Sequence, residues 1–238
     1  MPARKHHESL TDRIAGFFRN AKFLGASTRT TAETHVGSIE DKKTLQIGLS
    51  AWIIQDGNYA DFVCDSILRF AIEFYSEDGL SILAREAGDA VNTCLIQRHD
   101  CQYQATGLVR FCAEDVWVVE FDGVLAFREE SPPNGIVPGV VVSGDIWLGI
   151  DPFFYFESLF KTPNIPPLIY EWRIESIAME TAPFIETADS FGRKFMVRDQ
   201  SLHRRVPIAS TDAWNDDNGD ADYVLSCLRA GVPPSKEL

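Results

Sequence analysis

The sequence predicts a mainly β protein: an antiparallel β-sandwich or barrel of roughly ten strands, with an N-terminal amphipathic helix and a short C-terminal helix. Three observations carry that expectation. Leu45, Ile47, Leu49, Ala51 and Ile53 share one parity, and so do Leu68, Phe70, Ile72 and Phe74. Period-2 alternation of this length marks half-buried strands. Further apolar runs follow at short spacing, many of them separated by turn dipeptides such as Asp56-Gly57, Asp78-Gly79 and Asp122-Gly123. Dipeptides of this kind favour tight hairpins.

Ser9 to Leu24 has the period of a helix. Leu10, Ile14, Phe17, Phe18, Ala21 and Leu24 line one face, Ser9 is placed as N-cap and Gly25 as terminator. Such a stripe packs on its own domain or on a neighbouring copy, which offers a route to a homo-oligomer. Residues 26–43 are rich in Thr, Ser and charge and lack apolar periodicity, as a linker does. The division expected is therefore helix over 1–24, linker over 25–43 and a β-rich domain over 44–238.

Strands are expected near 44–55, 67–76, 90–98, 102–112, 115–121, 124–128, 138–150, 152–159, 167–179 and 193–198. Tyr170, Trp172 and Ile174 should face the core, with Glu171, Arg173 and Glu175 outward. Pro163, Pro166 and Pro167 bracket a loop. Residues 221–229 are assigned to the short C-terminal helix, with Asp220 as its N-cap.

Net charge is −13 and unevenly spread. Residues 1–43 hold eight Lys/Arg against five Asp/Glu, so the remaining fourteen and thirty give residues 44–238 a balance of −16. An acidic body argues against DNA or RNA as partner, because phosphates call for cations. It favours a basic protein partner. The five cysteines (Cys64, Cys94, Cys101, Cys112, Cys227) form no Cys-x-x-Cys pair. With no signal-peptide pattern and no apolar run near ~18 residues, reduced thiols and a cytoplasmic location are expected, with no transmembrane segment.

Several constellations bear on function. Asp56-Gly57-Asn58-Tyr59, with Asp61 and Asp65 close behind, puts carboxylates on one loop; a turn built from turn-forming residues is preferred. Asp151-Pro152-Phe153-Phe154-Tyr155-Phe156-Glu157 is the densest aromatic stretch. Asp151 and Glu157 could serve as acid and base beside Tyr155 in a ligand pocket, although a buried strand gives the same string. Cys94, His99, Cys101 and Cys112 include zinc-ligand types at a spacing that matches no zinc pattern, so no metal and no cofactor is expected. Asp216-Asp217-Asn218-Gly219-Asp220 fails as an EF-hand, since Trp214 and Leu225 fall where carboxylates are required. Arg193, Lys194, Arg198, His203, Arg204 and Arg205 form a basic stretch, for which pairing with the acidic run Asp212 to Asp222 is favoured over an anionic ligand.

No nucleotide-binding, serine-hydrolase or zinc-protease motif is present. The working expectation is a non-enzymatic interaction module whose acidic face, centred on Asp212, Asp216, Asp217, Asp220 and Asp222, binds a basic protein. A bacterial immunity-type inhibitor or an assembly subunit exemplifies that class. The alternatives are a small-molecule-binding or hydrolytic barrel using Asp151 and Glu157, and a self-assembling structural subunit.

Overall fold

A computed structural model describes residues 44–84, 91–151, 159–188 and 192–236. The expected helix over 9–24, the linker before residue 44 and most of the expected 152–159 strand lie outside them. The described chain is mainly β and falls into two compact units, residues 180–206 and the remainder. Among the described residues no helix is long and apolar enough to cross a membrane.

In the larger unit, β1 (Thr44–Ser50) buries Leu45, Ile47 and Leu49, as their parity requires. The run then departs from expectation, because Ala51–Gln55 forms a one-turn helix, α1. Ala51 and Ile54, three residues apart, satisfy helical burial as well as Ala51 and Ile53 satisfy a strand. Asp56 N–H returns to Trp52 O, and Gly57 takes φ +87°. Asp56-Gly57 thus closes a helix and joins no hairpin. The second apolar run also divides. β2 (Ile67–Phe70) pairs with β10 (Tyr170–Glu180), whereas β3 (Ile72–Tyr75) pairs with β9 (Val141–Ile150). β4 (Ser81–Ile82) pairs with the same strand, so Asp78-Gly79 joins two neighbours of β9 and forms no hairpin.

Asp122-Gly123 does form a tight hairpin. It joins β7 (Trp117–Phe121) to β8 (Val124–Arg128), with φ of +49° and +76° at its two central residues. That is the mirror-image turn whose twist matches the strands. β5 (Cys94–His99) and β6 (Gln102–Cys112) form the preceding hairpin. Because β6 pairs with both β7 and β9, the strands β6, β7, β8, β3 and β9 close into a five-stranded barrel. β3 and β8 meet in parallel at a single bridge, Glu73 to Phe127. Phe74 fills the interior, edge-on to Trp117 at 5.0 Å and to Phe121 at 5.4 Å. Gly107 on β6 is required by this packing, since a Cβ there would sit 2.4 Å from Val119 Cγ1.

The sheet continues from β9 through β1 to β14 (Asp222–Arg229) and β10. This corrects the expected C-terminal helix. Both neighbours offer open edges, and Tyr223, Leu225 and Cys227 alternate into the core. Two ladders of hydrogen bonds override an ambiguous local preference. On β10, Tyr170, Trp172 and Ile174 are buried as expected; a bulge after Ile174 then shifts the parity and buries Ile177. A second apolar cluster joins Ala71, Val118 and Phe127 to Leu159, Ile165, Leu168 and Ile169 of the proline-bracketed segment.

In the smaller unit β11 (Phe184–Ala188) and β12 (Lys194–Arg198) form an antiparallel ribbon. The Glu180 carboxylate organises it by accepting backbone N–H groups of Thr181 and Ala182 at 2.9 and 2.7 Å. His203 Nδ1 lies 2.5 Å from its second oxygen. Arg198 donates to Ala182 O and lies over the Phe184 ring at 4.1 Å. β13 (Arg205–Ile208) leads back into the larger unit.

Candidate functional site

Four of the five acidic candidates lie on the loop between β13 and β14, and Asp222 opens β14. The loop's shape is set from the segment after α1. Thr211 N–H donates to Phe62 O, and Phe62 N–H returns to Thr211 Oγ1. Asp61 Oδ1 accepts from Thr211 Oγ1 at 2.8 Å and from Ala213 N at 3.0 Å. Gln55 at the end of α1 donates to Ala213 O and Gly219 O at 2.6 and 2.8 Å. Asp217, Asn218 and Gly219 take φ of +46°, +59° and +90°, a left-handed run that Asp, Asn and Gly tolerate best. Backbone groups that a mobile loop would give to water are therefore fixed to protein partners.

The five acidic candidates divide by role. Asp216 Oδ2 accepts from Asp212 N at 2.8 Å and from the buried Tyr223 hydroxyl at 2.9 Å. Burial, and then the hydrogen bond to Asp216, push the Tyr223 phenol above its usual range, so it stays a neutral donor. Asp212 holds Asn215 Nδ2 at 2.9 Å while remaining exposed. Asp220 is also exposed, and Asp217 and Asp222 are half-buried.

The sequence reading passed over the residue at the centre of this loop. Trp214 is 67% exposed, the most exposed of the large apolar side chains among the described residues. Its neighbours Ala213 and Thr211 are buried and bonded, so the indole is presented from a fixed base. Val63, joined to the loop by its bridge to Ser210, is 49% exposed. The available signal was Trp in a run of Asp and Asn, where no apolar periodicity asks for it. Trp214 shares its loop with Asp212, Asp216, Asp217 and Asp220, and Asp61 is bonded to the backbone of the same loop; an exposed indole on an acidic loop suits a recognition patch with a charged rim.

Replacing Asp216 with Ala should cost about 1–3 kcal/mol, because it leaves the buried Tyr223 hydroxyl without its acceptor. Asp212→Asn and Asp220→Asn, on exposed side chains, should stay within ~0.5 kcal/mol of the parent. Urea denaturation of the three variants checks this division; equal costs at all three positions would contradict it.

The other sequence candidates are dispersed. Asp151 has no solvent exposure, and Tyr155 and Glu157 lie outside the described residues. Asp151 sits near Tyr59, whose phenol is pushed up by burial and secondarily by that carboxylate. Cys101 precedes β6 and Cys112 ends it, so a strand of eleven residues separates them by about 33 Å. Cys112 donates to Ile136 O at 3.7 Å, and Cys227 is buried in the core with its thiol pushed up by burial. These cysteines do not converge on one point. In the basic stretch, Lys194 pairs with Glu186 at 2.8 Å and Arg205 lies 4.0 Å from Glu180, both inside the smaller unit.

A different cluster was not anticipated. Glu73, on β3, is 5% exposed, and its carboxylate lies 3.3 Å from Arg128 Nη1. Glu73 lies on the parity opposite Ile72 and Phe74, and the packing of Leu159, Ile165, Leu168 and Ile169 against Ala71 and Phe127 shows that this parity is covered too.

No protein-family model, no curated protein and no solved structure matches this chain.

Proposed function

We propose that the protein is a non-enzymatic binding module that docks a basic protein partner on the loop carrying Trp214 and these carboxylates. The observation that carries this reading is the exposed indole held on a bonded loop that also carries Asp212, Asp216, Asp217 and Asp220. Tryptophan supplies large contact area with few rotors to freeze, which suits it to be a binding anchor. The surrounding Asp residues, within a chain of net charge −13, would draw cationic partners and discourage anionic ones. A Lys- or Arg-rich surface offers both complements, since a cation can pair with the rim and lie on the indole face.

Photo-crosslinking from Asn215, next to the anchor, tests the reading, with Ile96 on β5 as a control position. A partner rich in Lys and Arg should crosslink from Asn215 and not from Ile96. Equal capture from both positions would contradict the assignment of this face. With the partner in hand, its association rate should fall at least about tenfold between low and high salt, and dissociation should change much less. An association rate indifferent to salt would remove the electrostatic part of the proposal.

A further inference from the structure

The barrel closes at its weakest joint over a group of carboxyls around the buried Glu73. β3 and β8 share one bridge, whereas β3 pairs with β9 over four positions, from Ile72–Ile150 to Tyr75–Trp147. At the bridge stands Glu73, and the residues that follow β8 fold back onto it. The Glu73 carboxylate takes a hydrogen bond from the Glu129 backbone and faces the Arg128 guanidinium. Arg128 lies 4.8 Å above the Tyr75 ring, and its Nε is 3.3 Å from Glu130 Oε2. Glu129 is half-buried and faces Glu73 and, from the β6–β7 turn, Asp115. Ser131 Oγ ties this segment to the same turn through Glu114 O at 2.7 Å.

The charged groups around the joint are thus Glu73, Glu129, Glu130 and Asp115 against the single guanidinium of Arg128. One cation cannot neutralise the buried Glu73, the half-buried Glu129 and the exposed Glu130 and Asp115 together. Burial, ahead of every other cause, pushes both Glu73 and Glu129 up to about 7. Each carboxylate makes the other costlier to ionise, so the pair titrates as a unit.

We propose that the β3–β8 closure is a proton-linked joint, locked when a proton is held in the Glu73–Glu129 pair and loosened when both carboxyls are charged. The sign follows from linkage. A carboxyl that binds its proton more tightly in the folded chain contributes stability that is fully present below the ordinary carboxylate range. That contribution is lost as pH rises through about 7. The joint is therefore tighter in mild acid than in mild base. Loss of one short parallel bridge is a local event that the rest of the sheet need not share.

Hydrogen exchange on the full chain at about pH 5.5 and 8.5, corrected for intrinsic rates, reads the joint directly. Amides of β3 and β8 should lose about tenfold in protection at the higher pH, which is one pKa unit of coupling. The β1–β14 ladder should change little. Glu73→Gln with Glu129→Gln mimics the protonated pair and should hold the joint tight at both pH values. If that double variant does not fold, Glu129→Gln alone, on the half-buried member, should shrink the pH effect severalfold. Protection that is independent of pH in the parent, that changes equally in β1–β14, or that keeps its full pH dependence in the folded variant, would overturn the proposal.

Discussion

Trp172→Ala should be the most damaging single substitution in the larger unit, costing about 3–5 kcal/mol. Trp172 has no solvent exposure and lies where the sheet continues beyond the barrel, with β2 on one side of its strand and β14 on the other. Its indole stacks on Phe70 at 5.7 Å and approaches Tyr170 at 5.6 Å, and Nε1 donates to Phe70 O at 3.3 Å. Truncation opens a cavity between rings that the backbone ladders hold apart, so the site cannot collapse. Whole domains are stable by only about 5–15 kcal/mol, so the variant should be partly unfolded at 37 °C. Trp172→Phe keeps most of the apolar volume and forfeits the indole hydrogen bond, and should cost roughly half as much. Urea denaturation measures both. A cost below ~1 kcal/mol for the alanine variant would mean that this packed centre is not what holds β2, β10 and β14 together.

Trp172 also shows what was legible in the sequence. Its parity with Tyr170 and Ile174 gave both the strand and the buried face, because alternation is a local signal that each residue carries for itself. Asp122-Gly123 was legible for the same reason, since its two left-handed residues need no distant help. Errors arose where the chain answers to a distant partner. Ala51–Gln55 and Asp222–Arg229 each fit both periods, and hydrogen bonds to remote strands decide β14. The run over 67–76 reads as one strand, yet it breaks at Ala71, whose carbonyl accepts from Asp151 N, and serves two partners.

The candidate site divides along the same line. The acidic loop could be found from composition alone. The anchoring of Thr211 and Ala213 by Asp61 spans about 150 residues of sequence and could not. Nor could the burial of Glu73, which sits beside Ala71 on a strand face that residues from beyond 158 cover. A charge on the outer parity of a half-buried strand is ordinarily solvated, and burial makes this one costly to ionise. Asp216 illustrates a further limit, because the sequence offers it as surface charge and the fold uses it to satisfy a buried tyrosine.

On the binding reading, Trp214→Ala should weaken the complex with the basic partner by about 2–4 kcal/mol, or roughly 30- to 1,000-fold in Kd. The folded protein should hardly notice, because the indole is two-thirds exposed and the loop is held through Asp61, Thr211 and Gln55 instead. The loss should fall on dissociation, since short-range packing governs residence time. Asp212→Asn with Asp220→Asn should do the reverse, slowing association and flattening its salt dependence while leaving dissociation nearly unchanged. These two signatures separate an anchored interface from a merely acidic surface. A surface that only steers would lose association rate with the aspartates and nothing with the tryptophan. An anchor that needs no steering would show the opposite. Unchanged dissociation in Trp214→Ala, with the fold verified by its melting temperature, would show that the partner docks elsewhere on the chain.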